Sequence, residues 1–288
     1  NRVDKSLFTE RGQGAKVVTY EAFDENDEAQ YVIDQIIGLQ GRGAARYGDC
    51  AVMYRTNAQS RAFEDAFIRA GLPYKLVGAT RFYARREVKD ILAYLRLIHN
   101  PTDSVSLARV INTPSRGIGQ KTLGQLERIA DKRGVPAWDI LRELDGQDGS
   151  PFRTRAHKAL RAFATLLKGW LALADQSSVV QLMDAVLEQS EYRSYILDGT
   201  EEGQERWDNL IELRGVAAEY EDMTLTEFLA DVALVSDVDN LVDEVNAPTL
   251  LTLHAAKGLE FPVVFITGLE EGILPHQRSF DDPEEMAE

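Results

Sequence analysis

The sequence predicts an α/β fold in which a partial parallel sheet is interrupted by an all-α insert. Three observations predict it. Residues up to 77 alternate short β-rich runs with amphipathic helical runs. From 84 to 235 no run reads as a strand, and β-rich runs resume only near Thr249. Alternating strands and helices are the pattern of parallel strands joined by crossover helices, and a helical block inside such a pattern is an insertion.

Residues 1–15 are polar, carry Gly12 and Gly14, and read as extended. Lys16 to Tyr20 is a strand by its β-branched content. The acidic run Asp24 to Asp27 suits the start of a helix over 27–40, whose Ala29, Val32, Ile33, Ile36 and Ile37 recur at helical spacing. Gly41 to Gly48 is a turn region, and Cys50 to Tyr54 a buried strand. Asn57 caps a helix over 58–70 with Phe63, Ala66, Phe67 and Ala70 on its apolar face. Gly71 to Pro73 ends it, and Tyr74 to Val77 is the next strand. In the insert, helices are expected at 86–98, 103–111, 120–133, 136–144, 152–174, 178–189, 202–221 and 225–235, punctuated by Pro101, Pro114, Pro136 and Pro151. The sheet returns with Leu250, Leu251 and Leu253 and with Pro262 to Thr267. The divisions expected are 1–77 for the first part of the sheet domain, 78–246 for the insert, and 247–288 for the second part.

The chain has 288 residues, 44% hydrophobic and 27% charged, enough for two ordinary cores. Its single cysteine, Cys50, excludes an internal disulfide framework, fits a reducing compartment, and reads as a buried structural thiol. No apolar stretch reaches about 18 residues, so no membrane span or membrane partner is expected, nor is there a signal-peptide pattern. A cytoplasmic location follows, and both ends are expected to be cut from a longer chain. A net charge of −15 argues at first against nucleic acid. Its distribution changes that. Residues 182–245 hold 18 acidic and 3 basic residues, whereas 79–122 hold eight basic and three acidic ones. A basic segment facing DNA with an acidic one turned away fits, although two ordinarily solvated helical regions fit as well.

Three runs carry chemistry. In the first, Thr249 to Pro275, a strand leads into His254-Ala-Ala-Lys-Gly-Leu-Glu260 and then a second strand. Its small residues let a ligand approach closely, while His254, Lys257 and Glu260 supply a ring, a cation and a carboxylate. The second, Arg55 to Arg61, follows a strand at its carboxyl end, where open α/β sheets bind ligands. Its arginines, Asn57 and hydroxyls suit phosphate, though a helix cap explains Asn57 equally well. The third, Thr113 to Thr122, contains Gly117-Ile-Gly119 at a helix start. Its glycines allow a turn whose backbone N–H groups face a phosphate, with Arg116, Lys121 and Thr122 adding donors and Ile118 as an anchor. An ordinary helix–helix corner is the plain alternative. It is no Walker A loop, because Gln120 separates Gly119 from Lys121 and no strand precedes. Trp138, Trp170 and Trp207 read as packing residues, and His99 and His157 lack partners at metal-ligand spacing.

The run from Thr249 to Pro275 closely resembles motif V of the UvrD/PcrA/Rep helicases of superfamily one. Tyr54-Arg-Thr-Asn-Ala-Gln-Ser-Arg61 is similar to another motif of that family, and the helical block to its inserted subdomain 2B. The resemblance covers nearly the whole chain. It implies the second RecA-like domain, 2A, interrupted by 2B, with the γ-phosphate arginine and the phosphate loop lying before residue 1 and the terminal arginine motif after 288. It implies a parent that unwinds DNA 3′ to 5′ with ATP and Mg²⁺, none of which this chain is expected to hold alone. Arg55, Asn57 and His254 would lie along single-stranded DNA, while Gly258 and Glu260 would face the nucleotide. Lys89, Arg116, Gly117, Ile118, Gly119, Lys121 and Thr122 would meet the duplex through a helix-hairpin-helix element. Implied partners are the N-terminal RecA-like half, DNA, and other DNA-repair or transcription proteins. A non-catalytic helix-hairpin-helix module and an acidic protein-interaction domain are the alternatives.

Overall fold

The computed structural model describes residues 14–144, 151–220, 223–238, 246–271 and 273. It forms two compact units, residues 1–79 with 242–288, and residues 80–241.

The first unit holds α1 (Glu25–Gly41), β1 (Cys50–Tyr54), α2 (Ser60–Arg69), β2 (Lys75–Val77), β3 (Thr249–Thr252) and β4 (Val263–Ile266). The sheet order is β2-β3-β1-β4, and every pairing is parallel. Ala51 lies opposite Thr249 on one side of β1, and Cys50 opposite Val263 on the other. Every residue of β1 is buried, as a central parallel strand requires. Strand alternation sends Val52, Tyr54 and Leu250 to one face, where Ala29, Val32, Ile33 and Ile36 of α1 and Phe63 and Phe67 of α2 cover them. Ala51, Met53 and Leu251 take the other face under Leu253, Ala255, Ala256 and Phe261. Asp24 caps α1 through a carboxylate that accepts from the Asp27 N–H at 2.8 Å, so α1 starts two residues earlier than its apolar spacing indicates.

Two expectations fail in this unit. Lys16 to Tyr20 forms no strand and lies exposed, with Val17 92% accessible. Its β-branched residues find no ladder partner in the sheet described, and β-propensity alone does not make a strand. Asn57 is not a helix cap either. It opens a 3-10 turn, Asn57–Gln59, whose preceding residue is Thr56, and α2 follows from Ser60.

The second unit has no strand among its described residues, and its α-helices are α3 (Arg86–His99), α4 (Ser104–Val110), α5 (Gln120–Arg133), α6 (Ala137–Glu143), α7 (Thr154–Ala174), α8 (Val179–Gln189), α9 (Tyr192–Ile196), α10 (Glu201–Glu219) and α11 (Leu225–Val238). The short α9 was not anticipated; it begins after Glu191, whose φ of 61° breaks the chain direction. Helix α3 packs against α4, α7, α8, α10 and α11, and its residues are buried on nearly every side, the mark of a central helix. Its buried carboxylates are paired. Asp90 accepts from Arg109 Nε at 2.7 Å and from the Tyr192 hydroxyl at 2.8 Å. Glu87 accepts from Asn209 Nδ2 at 2.6 Å, and Arg85 Nη1 donates to Asn209 Oδ1 at 2.6 Å. Arg109 is thus spent on a buried carboxylate, which needs a partner, and Arg85 on the buried Asn209 amide. Trp138 and Trp170 are buried, and Trp207 packs beside the core under Arg193. The expected end of the insert near 246 follows residues 239–245, which lie outside the described residues.

Candidate nucleic-acid interface

Strands β1 and β3 end side by side, Tyr54 opposite Thr252, so the loops that follow them meet. Arg55 Nη1 lies 2.7 Å from Nε2 and 3.0 Å from Nδ1 of His254. The guanidinium is always a donor, so whichever ring nitrogen accepts carries no proton. The pair is exposed and joins the two loops across the strand ends. Asn57 sits on the turn just beyond, half-buried, with no side-chain partner among the described residues.

Gln59 shapes this turn, and sequence reasoning missed it. Its Oε1 accepts from the Arg55 and Thr56 N–H groups, each at 2.9 Å. Its amide nitrogen fills the space beside Gly268, where an added Cβ would lie 1.9 Å away. Gly268, at φ 66°, donates its N–H to Glu28 Oε1 at 2.9 Å. Burial raises the Glu28 carboxyl above its ordinary value; the Gly268 N–H opposes this and Glu270 adds to it. The Thr56-to-Gln59 spacing of a capping box was the signal available for Gln59. Gly268 left none, since a close approach between distant segments has no local signature.

After β3 the chain forms a turn over 253–258, with the Ala256 N–H on Thr252 O at 3.0 Å and the Leu259 N–H on Ala256 O at 2.9 Å. Gly258 has φ 86°, which only glycine adopts cheaply. Lys257, Gly258 and Glu260 are exposed, and neither Lys257 nor Glu260 has a side-chain partner among the described residues. The structure thus brings Arg55 and His254 together and leaves Glu260 as a separate free acceptor. Among the described residues no three His, Cys, Asp or Glu side chains gather to hold a metal ion. An unpartnered carboxylate beside a left-handed glycine fits a sugar hydroxyl.

In the second unit the segment between α4 and α5 is a hairpin. Asn112 Oδ1 accepts from the Arg116 N–H at 2.8 Å and the Ile118 N–H at 3.0 Å. The Thr113–Pro114 peptide is cis, and Gly117 has φ 76°. Ile118 is buried, as expected of an anchor, while Gly117, Gly119 and Lys121 are exposed and Thr122 is half-buried. Gly119 is the N-cap of α5, and the first amides of a helix have no acceptor within it. The N–H groups of Gly117, Gly119, Gln120 and Lys121 are therefore available to an anion. Among the described residues, neither Lys121 nor Lys89 has a side-chain partner. Arg116 departs from expectation. Its guanidinium turns inward onto the backbone carbonyls of Val110, Pro114 and Ser190 and onto the Tyr94 hydroxyl. Both terminal nitrogens, Nη1 and Nη2, are committed to these internal acceptors.

A parallel sheet whose strand ends carry polar loops, with an all-α unit set between its second and third strands in the chain, defines a RecA-like domain carrying a helical insert, the class found in DNA motor proteins. The chain belongs to the UvrD-like helicase C-terminal domain family, whose model matches residues 1–288. It is 40% identical over 299 residues to the ATP-dependent DNA helicase PcrA of Bacillus subtilis, and 42% identical over 308 residues to the ATP-dependent DNA helicase UvrD1 of Mycobacterium tuberculosis. Identity to PcrA of Staphylococcus aureus is 38% over 296 residues. Each alignment covers 100% of this chain and 40% of the relative, so the chain spans well under half the length of the curated relatives it matches. Among the described residues no helix is long and apolar enough to cross a membrane.

Proposed function

We propose that this chain is the DNA-contacting C-terminal part of an ATP-driven 3′-to-5′ DNA helicase, with residues 1–77 and 247–288 as subdomain 2A and 78–246 as 2B. Single-stranded DNA lies across Arg55, Asn57 and His254. Duplex DNA meets Lys89, Lys121, Thr122 and the backbone donors of Gly117 to Lys121. Gly258 and Glu260 face the nucleotide sugar. When ATP binds in the parent, its hydrolysis supplies the free energy of strand separation; these residues hold DNA and sugar. The N-terminal RecA-like half is the required partner, other DNA-repair or transcription proteins are further ones, and the cytoplasm is the site of action. One observation carries the reading: Arg55 and His254, 199 residues apart, share a contact at 2.7 Å at the carboxyl ends of neighbouring parallel strands, where such sheets bind ligands. The contacts proposed go to phosphate and sugar, so they position DNA without reading its sequence.

Fluorescence anisotropy of the chain with a labelled single strand at low salt tests this. Arg55→Ala and Asn57→Ala are expected to weaken single-strand binding while blunt-duplex binding stays unchanged. Unaltered single-strand affinity in both variants overturns the assignment.

A further inference from the structure

We propose that Arg116 is a positioning residue for the phosphate-binding hairpin, which it shapes from inside without touching phosphate itself. The proposal rests on the duplex reading above and departs from it in giving this arginine an inward role.

The geometry is that of a staple. Nη1 donates to Val110 O at 3.0 Å and Pro114 O at 3.2 Å. Nη2 donates to the Tyr94 hydroxyl at 2.8 Å and to Ser190 O at 3.3 Å. The guanidinium lies over the Phe163 ring at 5.5 Å. No carboxylate is among these partners, which is unusual for a cation packed into a helical unit. Helix ends supply the missing negative charge. Val110 is the last residue of α4, and Ser190 is the C-cap of α8. Carbonyls at helix C-termini have no partner within the helix and carry the negative end of the macrodipole, and Val110 O also accepts from the Thr113 N–H at 3.1 Å. Arg116 closes two such ends at once.

The staple acts on the donors beside it. The backbone of Arg116 is fixed by Asn112 Oδ1, its side chain by acceptors on Tyr94, Val110, Ile111, Pro114 and Ser190, and Ile118 by burial. Between those two anchored residues stands Gly117, exposed, at φ 76°. With its neighbours pinned, the N–H vectors of Gly117 and Gly119 are set before any phosphate arrives, and the ordering entropy is not lost at binding. Lysine cannot replace this: one compact ammonium cannot reach Val110, Tyr94 and Ser190 together, while a planar fork can.

The test uses the 288-residue chain with Arg116→Lys, Arg116→Met and Lys121→Ala. Three quantities are read: the amide ¹H–¹⁵N resonances of Gly117 and Gly119 without DNA, blunt-duplex Kd across a salt series, and single-strand Kd as a check that the first unit is intact. Arg116→Lys is expected to shift both glycine amides and to weaken duplex binding at least tenfold, leaving the salt slope and the single-strand Kd unchanged. Lys121→Ala is expected to flatten that slope by about 0.9. Unmoved amides with wild-type duplex affinity in Arg116→Lys overturn the proposal. So does a slope about 0.9 flatter in Arg116→Met with unmoved amides, which marks a direct phosphate contact. Shifted amides in Arg116→Lys, together with wild-type duplex binding indifferent to Lys121→Ala, instead refute the duplex reading and the phosphate role that depends on it.

Discussion

Gly268 and Gln59 should behave as one element, and a double-mutant cycle exposes this. A Cβ at position 268 would lie 1.9 Å from Gln59 Nε2, so Gly268→Ala must push the Gln59 amide out of its seat. The Gln59 carbonyl oxygen then leaves the Arg55 and Thr56 N–H groups it holds at 2.9 Å. Each lost hydrogen bond costs about 1 kcal/mol, so Gln59→Ala should cost the first unit about 2 kcal/mol. Gly268→Ala suffers the same loss and adds about 1 kcal/mol for a side chain at φ 66°. With Gln59 already truncated, only the backbone strain remains to be added. The double variant should therefore cost about 3 kcal/mol, against about 5 kcal/mol if the two sites were independent. Native-state amide exchange of β1, which opens only when the first unit unfolds, gives these values for all four proteins. Single-strand affinity should fall alike in both single variants, since both release the Arg55 turn. Additive costs in the double variant refute the argument that Gly268 acts through Gln59.

Three further outcomes are expected. In a full-length helicase containing this segment, Glu260→Ala should raise the KM for ATP about fivefold, the worth of one hydrogen bond, and leave DNA affinity unchanged; weaker DNA binding with an unchanged KM would move Glu260 to the DNA side. The 288-residue chain alone should neither hydrolyse ATP nor unwind DNA, because phosphoryl transfer needs a phosphate loop and metal carboxylates; DNA-stimulated turnover in a highly purified sample would contradict this. Asp103 caps α4 through Val105 and Ser106 N–H groups, both at 3.0 Å. Burial alone would raise its carboxyl, but these bonds and the Ser106 hydroxyl hold it below the ordinary 3.8. A depressed folded-state value stabilises above the unfolded one and is lost as pH falls through the folded one. Asp103→Ala should thus cost the helical unit about 1 kcal/mol at neutral pH, a difference that shrinks below pH 3.8. A constant difference across that range would leave the cap without an electrostatic part.

The elements legible in the sequence were those that periodicity and punctuation specify. The spacing of Val32, Ile33 and Ile36 marked α1, and the unbroken apolar run at Cys50 to Tyr54 marked a central strand that is buried throughout. Lys16 to Tyr20 shows where local reading ends: β-branched residues promise a strand, but only a neighbouring edge makes one. The site divides in the same way. The loops at the ends of β1 and β3 were readable as binding loops, and their meeting through Arg55 and His254 follows from strand order, which no local pattern contains. Arg116 counted as a surface cation because composition records charge without direction, and the acceptors that draw it inward come from Tyr94, Val110 and Ser190, far apart in the chain. Charge counts over residues 79–122 overstated the surface for that reason, with Arg85 and Arg109 also committed to buried partners.

The central claim is that this chain carries two separate DNA contacts, one for a single strand and one for duplex. Hydrogen-exchange mass spectrometry of the chain, with a saturating single strand or blunt duplex at low salt, tests it most directly. The account predicts that the single strand slows exchange in residues 55–60 and 252–260 and leaves 112–122 unchanged, while the duplex does the reverse. Protection of the same segment by both ligands, or of neither segment by either, would contradict it.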